Sequence, residues 1–78
     1  MSNNASENLN PLSLMYNSTN KGISVHLKSG EKYQGTLSKV DNYMNMVLED
    51  TVEYRNENTA KFGRVFIRGN NVLLIKIG

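Results

Sequence analysis

The fold of this chain is decided by residues 25–50, VHLKSGEKYQGTLSKVDNYMNMVLED. Apolar side chains recur there at every second position, most clearly at Met44, Met46 and Leu48. A period of two places alternate side chains on one face, which is the pattern of a strand buried on one side. Gly35 interrupts the run, and a glycine within a strand indicates a bend, a bulge or a close backbone approach. The stretch therefore predicts strands joined by short turns, one of them bent.

The same period continues on both sides of this stretch. The predicted strands cover residues 22–28, 32–40, 41–55, 62–68 and 71–77. Residues 29–31 and 68–70 are predicted as tight turns, and residues 55–61, RNENTAK, as a polar loop. Five strands joined by short connections are typical of a small antiparallel barrel.

The N-terminal part has a different character. Residues 1–9 are polar with almost nothing to bury, so we predict a flexible tail followed by a single domain, residues 10–78. Asn10 is suited to cap a helix and Pro11 to occupy its first position. A helix of about two turns is predicted to end in the polar cluster of residues 17–20. It needs a sheet to lie on, because so short a helix is unstable alone.

The composition narrows the classes of function. The chain has 78 residues, one histidine and no cysteine, so one domain is expected and neither a disulfide nor a conventional zinc site. Its net charge of +2 is too small for one copy to bind duplex nucleic acid strongly. Beyond Glu57 there is no acid, whereas four cations lie there: Lys61, Arg64, Arg68 and Lys76. Several assembled copies would add these charges into a larger positive field.

Several classes are not indicated. No apolar run approaches the roughly 20 residues of a membrane span, and no signal peptide is recognisable, so an intracellular protein is expected. No nucleophile is placed beside a base, and the glycines do not have the spacing of a phosphate-binding loop. We therefore expect no catalysis, no metal and no cofactor.

The last predicted strand differs from the others. Val72, Leu73, Leu74, Ile75 and Ile77 are apolar on both of its faces. A strand buried on one side should alternate, and an exposed apolar edge is an aggregation hazard. We therefore expect another subunit to cover this strand.

These motifs resemble the two signatures of the Sm and Sm-like RNA-binding proteins. Residues 25–50 are similar to the first signature and residues 67–75, IRGNNVLLI, to the second. The matching positions are Gly35, Asp41, Met44, Asn45, Arg68, Gly69 and Asn70. The resemblance spans residues 22–77, and PLSLMYNS is similar to the family's N-terminal helix. It implies the Sm fold, a short helix followed by a strongly bent five-stranded antiparallel SH3-like barrel.

The resemblance also implies a site for uridine-rich single-stranded RNA, one nucleotide per subunit, at the inner rim of a ring. The residue chemistry agrees. Tyr43 offers a flat face for base stacking and Arg68 can cover the other face of the same base. Asn45 can accept from uracil N3–H and donate to a uracil carbonyl, and cytosine lacks that proton.

Three further residues complete the predicted site. Asp41 is suited to hold the loop, by accepting backbone N–H bonds or by orienting Asn45 or Arg68. Gly69 permits the tight turn, and Asn70 adds a contact to the base or the backbone. Simpler interpretations stand beside these: Asp41 as a turn former, Tyr43 as a surface aromatic and Arg68 as a solvated charge.

Three functional hypotheses follow. The first is a homoheptameric ring, most like the archaeal members, that acts in RNA metabolism as a cytoplasmic scaffold or chaperone. In it, the fourth strand of one subunit pairs with the fifth of its neighbour. The second is a subunit of a eukaryotic heteroheptameric Sm-like ring in splicing or mRNA decay, in the nucleus and cytoplasm. The third is a small SH3-like module that binds peptide or protein.

Overall fold

A computed structural model describes residues 11–78 as one helix followed by five antiparallel strands. The elements are α1 (Pro11–Asn17), β1 (Gly22–Leu27), β2 (Lys32–Val40), β3 (Met46–Arg55), β4 (Asn58–Ile67) and β5 (Val72–Ile77), with a 3-10 turn at Gly69–Asn71. The strands form one sheet in the order β4-β3-β2-β1-β5. The predicted mostly β fold, a short helix before a bent antiparallel sheet, is confirmed. The predicted tail, residues 1–9, and the cap Asn10 lie outside the described residues.

The core lies on one face of the curled sheet. Strand β1 shows how it forms, because Ile23, Val25 and Leu27 are buried while the side chains between them are not. The buried apolar residues are Met15, Ile23, Val25, Leu27, Leu37, Met46, Leu48 and Ile67. Met15 comes from α1, so the helix lies on the sheet through this residue. None of the helical segments in residues 11–78 has the length and hydropathy to cross a membrane.

The sheet bends at Gly35. The β2–β3 pairing shifts register there, since Gln34 pairs with Val52 but Thr36 pairs with Glu49. A Cβ atom at position 35 would lie 2.8 Å from the Glu49 carbonyl oxygen. On the neighbouring strand β3, Asp50 has a positive φ of 50°. The interpretation of Gly35 as a bend with close backbone approach is confirmed.

Two predicted strand limits are wrong by more than one residue. Strand β3 begins at Met46, whereas the alternation places Met44 on it. Met44 has a φ of 65° and belongs to the preceding turn, although its side chain still packs against the core. A turn that is fixed by side-chain hydrogen bonds overrides the apparent period of two.

The predicted loop at residues 55–61 is also wrong. Strand β4 begins at Asn58, and the chain reverses through Asn56 and Glu57 alone. The ladder to β3 starts with the pair Arg55 and Asn58. Asn56 has a φ of 55°, which asparagine tolerates and a tight hairpin requires. The outer part of β4 is polar because it is exposed, so it lacks the alternation that identifies the other strands.

Strands β4 and β5 are the two edges of the sheet. Within residues 11–78, β4 pairs with β3 alone and β5 with β1 alone. Both carry large exposed apolar side chains, namely Phe62, Phe66, Leu73, Leu74 and Ile77. The covering surface expected for β5 is not supplied by this part of the chain.

Candidate functional site

The turn between β2 and β3 is organised by the carboxylate of Asp41. Its Oδ1 accepts from the backbone N–H groups of Tyr43, at 2.8 Å, and Asn45, at 2.9 Å. Its Oδ2 accepts from Nδ2 of Asn45 at 3.0 Å. The backbone closes the same turn, because the Met44 N–H donates to the Asp41 carbonyl oxygen. An aspartate that binds the backbone ahead of it is a common device for fixing a turn.

These bonds also set the charge of Asp41. Partial desolvation raises the pKa of this carboxyl. Its hydrogen bonds from the Asn45 side chain and from the Tyr43 and Asn45 backbones stabilise the charged form, and they outweigh the desolvation. The net pKa of Asp41 is therefore below its ordinary value of 3.8. At neutral pH the group is an anion that accepts all three bonds.

The turn before β5 meets the Asp41 turn through Gly69. The Gly69 N–H donates to Oδ1 of Asn45 at 2.7 Å. A Cβ atom at position 69 would clash with the Tyr43 carbonyl oxygen and with the Met44 backbone. Any side chain there would force the two turns apart. Glycine is needed at this position because of this close approach.

A cleft of about 510 Å³ opens where the two turns meet. Its lining residues are Tyr43, Met44, Asn45, Phe66, Arg68, Gly69 and Asn70. The structure thus brings together five of the six residues predicted from sequence. The sixth, Asp41, holds the lining residue Asn45 rather than lining the cleft itself. Tyr43 is 81% exposed, so its ring is open to a ligand.

Sequence reasoning missed some residues of this region. The sequence pattern assigns Met44 to the core alone and Phe66 to an ordinary strand. Phe66 lies two residues before Arg68, and this spacing places both side chains on one side of a strand. That spacing could have predicted Phe66 as a neighbour of Arg68 in the cleft. One hydrogen bond near the cleft was also not predicted. The Tyr16 hydroxyl of α1 donates to Oδ1 of Asn42 at 2.8 Å. The helix is thereby tied to the turn that carries Tyr43.

The amide of Asn45 has a fixed orientation. Its oxygen must face the Gly69 N–H and its nitrogen must face the Asp41 carboxylate, because the opposite orientation would oppose donor to donor. One lone pair and one N–H of the amide remain after these two bonds. The side chain can therefore accept one bond from a ligand and donate one. Because the cleft is also lined by the exposed ring of Tyr43 and by Arg68, its chemistry suits a flat heterocycle.

Fold and cleft together define a small curled β-sheet protein with an open cleft between two turns. Comparison with known proteins gives the family. The chain matches the LSM domain over residues 13–77. It belongs to the LSM domain family, the Sm and Sm-like proteins, which bind RNA and assemble into rings.

Relatives and solved structures agree with this assignment. The chain is 41% identical over 75 residues to the U6 snRNA-associated Sm-like protein LSm6 of Debaryomyces hansenii, covering 95% of this chain and 88% of that one. It is 50% identical over 56 residues to the LSM complex subunit lsm6 of Schizosaccharomyces pombe, covering 70% and 75%.

Two archaeal structures share the fold. The Pyrococcus abyssii Sm protein in complex with a uridine heptamer matches with a TM-score of 0.81 and 33% identity, covering 87% of this chain and 97% of that one. A heptameric archaeal Sm protein matches with a TM-score of 0.78 and 32% identity, covering 85% and 97%.

Proposed function

We propose that this chain is a non-catalytic subunit of an Sm-like ring and binds uridine-rich single-stranded RNA, one base per cleft. The observation that carries the proposal is the fixed amide of Asn45. Its remaining lone pair can accept from N3–H of uracil and its remaining N–H can donate to a uracil carbonyl. Because the amide cannot turn without losing two bonds, a base with the opposite pattern is disfavoured.

The other cleft residues add affinity rather than selectivity. The ring of Tyr43 and the guanidinium of Arg68 are exposed on the two turns. Stacking on an aromatic ring contributes about 1–3 kcal/mol per base. A single base is therefore held weakly, and a useful affinity requires several clefts acting on one strand. The likeness to the archaeal protein that was solved with a uridine heptamer supports this arrangement.

The two edges of the sheet support assembly. We infer that β4 of one subunit pairs with β5 of the next, which continues the sheet and covers exposed apolar side chains. A closed ring repeats the cleft with the same orientation. An SH3-like interaction module would leave both edges bare, so we favour the ring.

The sequence identities to known proteins help to choose between a mixed ring and a homomeric ring. The eukaryotic relatives named above share 41% and 50% with this chain, and the archaeal structures share 32% and 33%. This difference favours a mixed ring of paralogous subunits over the homoheptamer. The mass of the purified protein decides between them, because a homomeric ring forms from one polypeptide. The location in cytoplasm, or in nucleus and cytoplasm, stays a prediction.

The binding test compares oligouridine with oligocytidine by fluorescence anisotropy. We expect the protein to prefer oligouridine, and Tyr43→Ala and Arg68→Ala each to lower that affinity about tenfold or more. Lys21→Ala is the matched control for Arg68→Ala, because Lys21 is an exposed cation away from the cleft. Equal binding of the two oligonucleotides, or full affinity in Tyr43→Ala, would contradict the proposal.

A further inference from the structure

Both sequence neighbours of Tyr43 lie against the helix α1. On one side, Oδ1 of Asn42 accepts a hydrogen bond from the Tyr16 hydroxyl at 2.8 Å, between residues 26 apart in the sequence. On the other side, Met44 lines an apolar hollow of about 260 Å³ together with Leu14 of the helix. Met44 also lines the cleft. The helix therefore borders the segment that carries the Tyr43 ring, although its own residues are not among those that line the cleft.

The residue that makes this hydrogen bond is itself held firmly. Tyr16 follows Met15, which is buried in the core. The Thr19 hydroxyl donates to the Tyr16 carbonyl oxygen at 2.9 Å, and the Ser18 hydroxyl donates to the Leu14 carbonyl oxygen at 2.7 Å. These two hydroxyls satisfy carbonyl groups that the end of a helix leaves without intrahelical partners. The backbone of Tyr16 is thus fixed to the core, and its hydroxyl is presented to the turn from a rigid base.

The helix and the Asp41 carboxylate hold different parts of the same turn. The carboxylate accepts from the backbone N–H groups of Tyr43 and Asn45 and so fixes the turn internally. The Tyr16 hydroxyl holds Asn42, which lies between the carboxylate and Tyr43 in the chain. A turn that is closed only on itself can still tilt as a unit, and a hydrogen bond to a core-anchored helix opposes that tilt. The direction of the exposed Tyr43 ring depends on it, because the ring is carried by this backbone.

We propose that Tyr16 is a positioning residue of the uridine cleft, which acts through Asn42 to hold the Tyr43 ring where it can stack on a base. This inference rests on the function proposed for the cleft. A ring that is already held in its binding position loses less conformational freedom when a base stacks on it. The supporting residues around a binding group set how well that group is placed. Helix α1 therefore contributes to uridine affinity without contacting the RNA.

The first test is Tyr16→Phe, which keeps the aromatic ring and removes only the hydroxyl. We expect the affinity for a short oligouridine, measured by fluorescence anisotropy, to fall about threefold, the scale of one lost hydrogen bond. Tyr54→Phe is the matched control, because its hydroxyl also donates to a side-chain amide oxygen, Oε1 of Gln34, but lies away from the cleft. That variant should keep the full affinity. Equal losses in the two variants would overturn the proposal.

A second test distinguishes positioning of Tyr43 from a general structural role. We introduce Tyr16→Phe into the Tyr43→Ala variant, in which no ring is left to position. Two changes that act through one group are not additive, so oligouridine affinity should fall no further than in Tyr43→Ala alone. A further loss as large as that in the wild-type background would show that Tyr16 acts by another route, and it would overturn the proposal.

A third test needs no RNA. Amide hydrogen exchange measured by NMR reports local opening of the turn. We expect Tyr16→Phe to accelerate exchange of the Tyr43 and Asn45 amides, and Tyr54→Phe to leave both unchanged. If Tyr43→Ala leaves oligouridine affinity intact, the function proposed for the cleft fails, and the exchange rates alone then decide whether Tyr16 holds the turn. Unchanged exchange in Tyr16→Phe would overturn the positioning role whatever the RNA affinities are.

Discussion

The cleft and the edge strands differ in how far one chain completes them. In the cleft, the Asp41 carboxylate accepts three hydrogen bonds from Tyr43 and Asn45 within the first turn. A fourth hydrogen bond, from the Gly69 N–H to the Asn45 amide oxygen, joins this turn to the second. At the edges, Phe66 is 64% exposed and Leu73 is 63% exposed, on strands with one neighbour each within residues 11–78. Residues 11–78 therefore complete the hydrogen bonding of the cleft but leave both edges of the sheet exposed.

This contrast indicates that the cleft and the edge strands have different roles. If the cleft binds RNA as proposed, the site is preorganised for it, because its polar groups are already oriented by the chain itself. The apolar edges gain stability when another subunit covers them, since burial contributes about 25 cal/mol per Å² of apolar surface. In the proposed ring, assembly would repeat a cleft that each chain already forms, so changes at the cleft and at the edge strands should have separable effects.

The largest effect is expected at the edge, from Leu74→Pro. Proline removes a backbone donor, and Leu74 lies within β5 with its side chain 43% exposed. We expect the assembly to dissociate toward the 8.8 kDa monomer in native mass spectrometry. Leu74→Thr keeps the donor and a strand-forming side chain, so it should keep the assembly. An intact ring in Leu74→Pro, with a normal circular dichroism spectrum, would show that β5 is not the interface.

An intermediate effect is expected at the contact between the two turns, from Gly69→Ala. The added methyl group meets the Tyr43 carbonyl oxygen, so the turns must separate. We expect a loss of about 1–3 kcal/mol in the free energy of unfolding, with oligouridine affinity reduced and assembly retained. Gly22→Ala is the matched control, because a Cβ there has nothing within 4 Å and β1 lies inside the sheet rather than at one of its edges. Equal urea midpoints for the two variants would refute the close approach.

The sequence predicted these regions unequally, for physical reasons. Strand β2 was predicted with its observed limits, and β1 to within one residue. Both predictions rest on local signals, namely the alternation within β1 and the turn residues between the strands. The start of β4 was missed because an exposed edge strand needs no alternation, and its pairing with β3 is not local. In the cleft, residue types were predictable from the signatures. The hydrogen bond between Asn45 and the Gly69 N–H was not, because it joins residues 24 apart along the chain. The hydrogen bond between Asn45 and Asp41 is local, and it was among the roles expected of Asp41.

The smallest effect at neutral pH is expected from Asp41→Asn, and its pH dependence sharpens the comparison. Asparagine keeps one oxygen for the two backbone N–H groups but turns a donor toward Asn45, so oligouridine affinity should fall a few-fold.

The folded-state pKa of Asp41 is lowered, so its ionised form stabilises the fold at pH values above the ordinary pKa of 3.8. That contribution is lost as the pH falls through the lower, folded-state pKa. Urea unfolding from neutral to acid pH should therefore show a stability difference between wild type and variant that is constant down to about pH 5 and vanishes in stronger acid. A difference that already shrank near neutral pH would mean that the hydrogen bonds of the turn do not hold Asp41 in its charged form. The edge variants, which leave this carboxylate untouched, should follow the acid profile of the wild type.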